Sequence, residues 1–512
     1  MSQADRYDAI IIGAGMGGLS TAAFLAKEGK NVLVIEKHDK PGGFITSFHR
    51  KGCRFDIGLE GLMELGENGD ITGFLKYFGV SVETTKRTEK LRIFTGDKDY
   101  ILSSATLKSD FIKQFPHEKE AINNFFNLNE KILSEMYSGG APKPPYEMGL
   151  FEKLKFGIES MIKRPTLMKY GMKNAYPILK KTFKDKDLIN VIISKGICNM
   201  VYLGYVYRWD VVNRDIVYYP INGMQAIPDV VVQNINYNDG QVLLNTEVKE
   251  ILIENGVAKG VECTNGCRYY ADIVVSNSSV LYTVNKLAKD SKELEPLRNS
   301  VEKREIYPGA MINFMGVSRD YDFGGVNYIA IMDKDTIDMD FDDYTPYNCP
   351  IWLIVSEKPK EQLDHSVTIL AYLPYKYHNN WETGKDGTRG EEYRKLKSEV
   401  ETIITNRICE KMGEDFRKSI LFCVASTPVS SERYTYSTEG AFMGWMMNEG
   451  NYGKFIPQET KVNNLYLVGQ WVFPGGGVAG VMASAYYLSK KILAIDNIDL
   501  EKKYKEFFEA NK

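Results

Sequence analysis

Cysteine and histidine are scarce: the 512 residues hold seven of the first and five of the second. At that density they supply neither a disulfide framework nor a metal-ligand cluster. The one close pair, Cys263 and Cys267, brackets Thr264-Asn265-Gly266, a tight-turn sequence, and so belongs where two adjacent strands meet. Net charge is nearly absent as well, at −3, which argues against a nucleic-acid partner on global electrostatics. No uncharged apolar run has the length of a membrane span, since the best stretch, Leu188 to Tyr207, is broken by Lys195. Reduced thiols and the lack of a charged-then-apolar leader point to the cytoplasm, with peripheral membrane contact left open.

What is present suffices for folding. Hydrophobic residues make up 44 % of a chain too long for one ordinary core, so two or more domains are expected. The chain is organised around its start. An apolar strand, Ala9 to Ile12, runs into Gly13-x-Gly15-x-x-Gly18, then a small-residue helix to Lys27, then a second strand, Val32 to Ile35, closed by Glu36. Gly13 permits the tight turn, Gly15 lets the backbone approach a pyrophosphate, and Gly18 lets helix and strand pack closely. The N–H groups of Met16, Gly17 and Gly18 open the helix, where the dipole is positive. Glu36 ends the second strand, where a carboxylate accepts hydrogen bonds from ribose hydroxyls, and Lys37 follows it. Strand, turn, helix, strand and acid in that order specify dinucleotide binding.

After Glu36 a simple nicotinamide dehydrogenase would continue with another helix and strand. Here Pro41-Gly42-Gly43-Phe44-Ile45-Thr46-Ser47 follows, then Gly52-x-x-Phe55-Asp56-x-Gly58-Leu59-Glu60. This resembles the FAD-binding segment of the flavin amine oxidase and phytoene desaturase superfamily. The resemblance implies that Gly42, Gly43, Phe44 and Ile45 pass close to FAD and that the segment after Phe55-Asp56 runs beside the isoalloxazine ring. Phe44 stands where amine-oxidising relatives carry Arg, which weakens an amine oxidase reading.

Two further segments carry the resemblance. Glu247-Val248 and Ala271 to Asn277 are similar to the superfamily's second cofactor segment, which implies that Val248 meets the adenine through its backbone. Leu465-Tyr-Leu-Val-Gly469-Gln470, continuing to Gly477-Val478, resembles the last one, a strand, a glycine turn and a helix whose N–H groups face the flavin edge where charge gathers on reduction. The family usually has an acid in place of Gln470. Thr427-Pro428, Arg433-Tyr434-Thr435 and Gly440-Ala441 look like the carotenoid isomerase and retinol saturase branch, which acts on polyene or prenyl chains.

The expected fold is α/β, a Rossmann-like FAD-binding domain of the glutathione reductase type with an inserted α+β substrate domain. The FAD-binding domain takes residues 1–90, 215–285 and 423–495, the substrate domain 91–214 and 286–422, and a C-terminal helix 496–512. Leu91 to Gly223 reads as largely helical, with a helix from Pro116 and a loop at 139–145. Met311 to Val317 and Ser366 to Leu373 read as strands of a separate sheet, and Asp239-Gly240, Asn255-Gly256 and Asn265-Gly266 as hairpin turns. The segment 153–184 has nine Lys or Arg against one Glu, interleaved with Leu154, Ile158, Met161 and Ile162. Such a segment is either a solvated surface helix or an interfacial helix meeting anionic lipid.

The resemblance implies an FAD-dependent oxidoreductase acting on carbon-carbon double bonds of a carotenoid, prenyl or retinoid-like chain, with no metal and an unnamed electron donor or acceptor. A fatty-acid double-bond isomerase or flavin oxidase of a smaller substrate is the alternative, and a lipid-delivering flavoprotein without turnover a third. Glu60 is the first catalytic candidate, because a carboxyl in an apolar pocket has a raised pKa suited to proton transfer. Tyr434 and Arg433 follow.

Overall fold

The computed structural model describes residues 6–57, 61–138, 143–197, 199–333, 339–359, 361–384 and 387–510. β1 (Arg6–Ile12) has five buried residues in its last six, and β2 (Val32–Ile35) is buried throughout, as both faces of a covered parallel sheet require. Between them α1 (Met16–Lys27) buries every residue from Met16 to Ala26. Its small side chains allow this. Phe24 is the exception in size, and it packs edge-on to Phe74 and Phe78.

β1 lies between β2 and the strand Arg268–Ser276, parallel to both, and Gln241–Leu243 extends the sheet beyond β2. On the other side Val248–Glu254 and Val257–Cys263 continue it antiparallel, while Leu465–Leu467 runs parallel to the end of Arg268–Ser276. Asn255-Gly256 and Asn265-Gly266 do join hairpin strands. Asp239-Gly240 instead links the helix Ala226–Tyr237 to Gln241–Leu243, because a strand parallel to β2 cannot follow from a hairpin.

A second seven-stranded sheet has the order Ile420–Ser426, Ala310–Val317, His365–Tyr372, Ile351–Val355, Tyr328–Met332, Lys90–Thr95 and Lys98–Ser103. Two sequence expectations shift here. The region from Leu91 opens with a hairpin, not a helix, and Lys90–Thr95 pairs parallel with Tyr328–Met332. The expected domain boundary at 423 falls inside the strand Ile420–Ser426, whose hydrogen bonds to Ala310–Val317 hold it in the second sheet. The helical part follows, with a single turn at Pro116–Glu118 leading into Lys119–Tyr137. These helices cover one face of the second sheet, and Glu391–Met412 covers the other.

The helix Leu150–Lys163 departs from the rest. Of its fourteen residues only Ser160 is buried, and Phe151, Ile162 and Leu150 are 86 %, 73 % and 72 % exposed. The C-terminal helix Leu500–Ala510 is also amphipathic, but Tyr504 and Phe507 pack on Tyr77 and Lys503 pairs with Glu28 at 2.5 Å. Among the described residues no helix is long and apolar enough to cross a membrane.

Candidate functional site

The glycine loop between β1 and α1 opens onto a cavity of about 920 Å³ that continues to the second sheet. Its geometry starts from what the glycines leave out. A Cβ on Gly17 would stand 2.6 Å from Asn277 Oδ1 and 2.9 Å from the Gly469 Cα, so the loop can close on its neighbours only without side chains. Gly42 donates its N–H to the Ala14 carbonyl at 2.8 Å, which lays the Gly42-Gly43 segment across Gly15. Phe44 lines the cavity and meets the Phe442 ring at 5.1 Å, and Ile45 beside it is buried.

Two helices point their N-termini into the cavity. α1 starts after Gly15 and Val478–Ala494 after Gly477, and neither has a side-chain cap or an acidic residue in its first turn. The first-turn N–H groups and the positive dipole ends therefore remain for an anion. Glu36 fixes the polar end. Its two oxygens accept from the N–H groups of Ala14 and His38 at 2.8 and 2.9 Å, which holds the carboxylate against the loop while leaving lone pairs for ribose hydroxyls. Lys37 donates to the Arg433 carbonyl and lies over the Tyr436 ring at 3.1 Å. Burial lowers its pKa to about 8, against the opposing pull of Glu36 and Glu247. Val248 is buried in its strand and lines the same end.

The Phe55-Asp56 segment is held from below. The Asp56 carboxylate accepts from the Met224 N–H at 3.0 Å and from the Ser47 and Tyr219 hydroxyls, and burial pushes its pKa up. Arg54 donates to the Ile221 carbonyl at 3.2 Å. These bonds bind the stretch after β2 to the point where the chain returns at Pro220 to Met224. Glu60 itself lies outside the described residues.

The far end of the cavity is apolar. Ile312 and Phe314 alternate on one strand, Leu370 and Tyr372 on its neighbour, and the register pairs Ile312 with Leu370 and Ala310 with Tyr372. Period-two alternation thus sends one face of the second sheet to the cavity. The Tyr307 and Tyr372 hydroxyls are 3.3 Å apart there, and the Tyr307 N–H donates to the Gly444 carbonyl at 2.8 Å. Arg208 also lines the wall.

Other candidates fall elsewhere. Tyr434 is half exposed and meets His38 at 5.2 Å between ring centres, at the polar end of the cavity. Arg433 lines a smaller neighbouring cavity with Tyr282 and Lys286. Neither stands beside the apolar lobe, because the helix Pro428–Thr435 carries both towards Lys37 and His38. The Gln470 amide donates to Ser437 Oγ and the Ala441 carbonyl at 3.2 and 3.3 Å. Tyr307 and Arg208 had no sequence signal as cavity residues, and Asn277 closed the second cofactor-like segment without being singled out. A strand end, a lone aromatic and a helical arginine gain meaning only from their neighbours. No cluster of three or more metal-ligating side chains occurs among the described residues.

The cradle, with two uncapped helix starts and a carboxylate, fits FAD. The family model of the NAD(P)-binding Rossmann-like domain matches residues 11–78. The chain is 27 % identical to prolycopene isomerase 1, chloroplastic, from an Oncidium hybrid cultivar, covering 98 % of this chain and 86 % of the relative. It is 23 % identical to all-trans-retinol 13,14-reductase of Danio rerio, over 96 % of this chain and 86 % of that one. Among solved structures, an oxidoreductase from Methanosarcina mazei superposes with a TM-score of 0.60 at 19 % identity, covering 94 % and 99 % of the two chains. A putrescine oxidase redesigned in its cofactor binding superposes at 0.64 and 15 % identity, covering 96 % and 99 %. Over nearly its whole length the chain is thus similar in sequence to prolycopene isomerases and all-trans-retinol 13,14-reductases, and it shares its fold with putrescine oxidase.

Proposed function

We propose that this protein is an FAD-dependent oxidoreductase acting on carbon-carbon double bonds of a long apolar, polyene-type substrate. The observation that carries this reading is one continuous cavity with a glycine cradle at one end and an apolar, aromatic wall at the other. A flavin supplies hydride transfer to or from carbon, or electron density that lets a polyene isomerise.

The chain's part is to hold and orient. Gly13, Gly15, Met16, Gly17 and Gly18 surround the pyrophosphate in this reading, with Glu36 and Lys37 at the ribose and Val248 at the adenine. Gly42, Gly43, Phe44 and Ile45 close over the middle. Gly469, Gln470, Gly477 and Val478 face the ribityl chain and ring. Ile312, Phe314 and Leu370 exclude water from the reacting carbons. Proton handling falls to Glu60, four residues after Asp56.

The test is anaerobic. Liposomes carrying a carotenoid precursor or retinol are added to the oxidised and to the reduced flavoprotein. Bleaching of the oxidised flavin identifies desaturation, reoxidation of the reduced flavin identifies saturation, and new isomers without net flavin change identify isomerisation. Silence of both samples towards every polyene overturns the reading.

Such a substrate resides in lipid, and we propose that the protein meets a bilayer through the helix Leu150–Lys163. Leu150, Phe151, Leu154, Ile158, Met161 and Ile162 fall within an arc of about 120° at 100° per residue, and all six are exposed. Lys153, Lys155 and Arg164 flank that arc, which suits anionic headgroups, while Lys163 lies on the opposite face and pairs with Glu159 at 2.5 Å. Flotation with anionic vesicles supports this contact, and protein that stays at the bottom of the gradient while the vesicles rise removes it.

A further inference from the structure

The end of the strand Arg268–Ser276 delivers one side chain into the centre of the cradle. Asn277 donates its backbone N–H to the Ile12 carbonyl at 2.9 Å, and this fixes its Cα beside the start of the glycine loop. Its carboxamide then lies among three glycines drawn from two separate loops. Cβ atoms on Gly17 and Gly469 would each stand 2.6 Å from Oδ1, and one on Gly15 would stand 2.8 Å from Nδ2. Three absent side chains thus make room for one amide.

That amide is poorly used. Among the described residues its one side-chain hydrogen bond is from Nδ2 to the Gly13 carbonyl, at a long 3.4 Å. A carboxamide offers two donors and two acceptor lone pairs, and this one is half-buried on the cavity wall. Its Nδ2 side faces Gly15, the glycine whose bare backbone admits a pyrophosphate. With one long bond and a half-buried place on the wall, the carboxamide keeps donor and acceptor capacity for a ligand in the cavity.

Resting on the FAD reading, we propose that Asn277 is a cofactor-positioning residue: from its place between the Gly17 and Gly469 loops, Nδ2 donates to a pyrophosphate oxygen. The uncapped helix start supplies backbone donors from one side, and Asn277 supplies a side-chain donor from the opposite strand. The donor holds the diphosphate against both loops.

The experiment measures binding of FAD and of ADP, which carries the diphosphate without the flavin, to deflavinated wild type, Asn277→Ala and Asn277→Asp, alongside the melting temperature of each apoprotein. Loss of a hydrogen bond to a charged group predicts about tenfold weaker binding of both ligands to Asn277→Ala. Asn277→Asp sets a carboxylate against the diphosphate, and its affinity is expected to fall about a hundredfold at pH 8 and to recover as pH drops and the carboxyl takes a proton. Apoprotein melting is expected to stay at the wild-type value. Wild-type affinity in both variants overturns the proposal. So does an affinity loss that tracks a loss of melting temperature and shows no pH dependence in Asn277→Asp, because that marks a packing role. Failure of the wild type to bind either ligand would remove the FAD reading and this proposal together.

Discussion

The two ends of the cavity are built by opposite means. At the polar end the shape comes from side chains that are missing: Gly15, Gly17 and Gly469 bring backbone and the Asn277 amide to within contact. At the apolar end it comes from side chains that are present, Ile312, Phe314, Leu370 and Tyr372, placed by alternate positions of two paired strands. A surface made of backbone cannot adapt to an added atom. A surface made of side chains can repack, so volume there tunes which ligand fits without deciding whether the fold forms.

The sharpest way to break this contrast is Gly17→Val. The added methyl groups would meet Gly469 backbone, which has no rotamer to yield, and flavin affinity should fall on the order of a thousandfold or more in equilibrium dialysis. Retention of flavin by this variant would show that the loop is pliant. Glu36→Ala is expected to weaken flavin binding about fiftyfold, since it removes the proposed ribose acceptor and frees the Ala14 and His38 N–H groups. Fluorescence titration reads that loss.

Apolar surfaces, on the exposed helix and in the cavity's far lobe, should answer differently. Replacing Phe151 and Ile158 with Ser is expected to weaken partitioning onto anionic vesicles about tenfold while flavin content stays constant, because both side chains are exposed. Leu370→Ala enlarges the lobe and should shift kcat/KM between long and short polyenes by about fivefold, with the flavin spectrum unchanged. A spectral change there would mean that the two ends are not separable. The smallest effect concerns Lys37. Its folded pKa of about 8 lies below the unfolded value, so between about pH 8 and 10 the unfolded chain binds more protons and apoprotein stability should rise with pH. Lys37→Met should flatten that slope in denaturant titrations.

The contrast also explains which features could be read in advance. Glycine patterns survive in one dimension because each glycine answers a local backbone demand, as Gly13 does with its φ of +94°. The strands Ala310–Val317 and His365–Tyr372 were equally legible, from apolar runs with strand-forming residues. The hairpin at Lys90–Ser103 was not. Its first strand has only six residues, and its stabilising neighbour, Tyr328–Met332, lies more than two hundred residues away. The strand Ile420–Ser426 gave no hint of which sheet it would join, because either edge could have accepted its backbone.

By itself the sequence determined the dinucleotide loop, the acid that follows it and two apolar strands of the second sheet, since each is set by bonds and sterics within a few residues. Only the tertiary structure decided that Asn277 meets Gly15, Gly17 and Gly469, that Tyr307 faces Tyr372, and that Tyr434 and Arg433 turn to the polar end. It also decided that the helix Leu150–Lys163 is left uncovered while Leu500–Ala510 is packed. Two equally amphipathic helices cannot be told apart in one dimension, because the surface that covers one and leaves the other bare is assembled from distant parts of the chain.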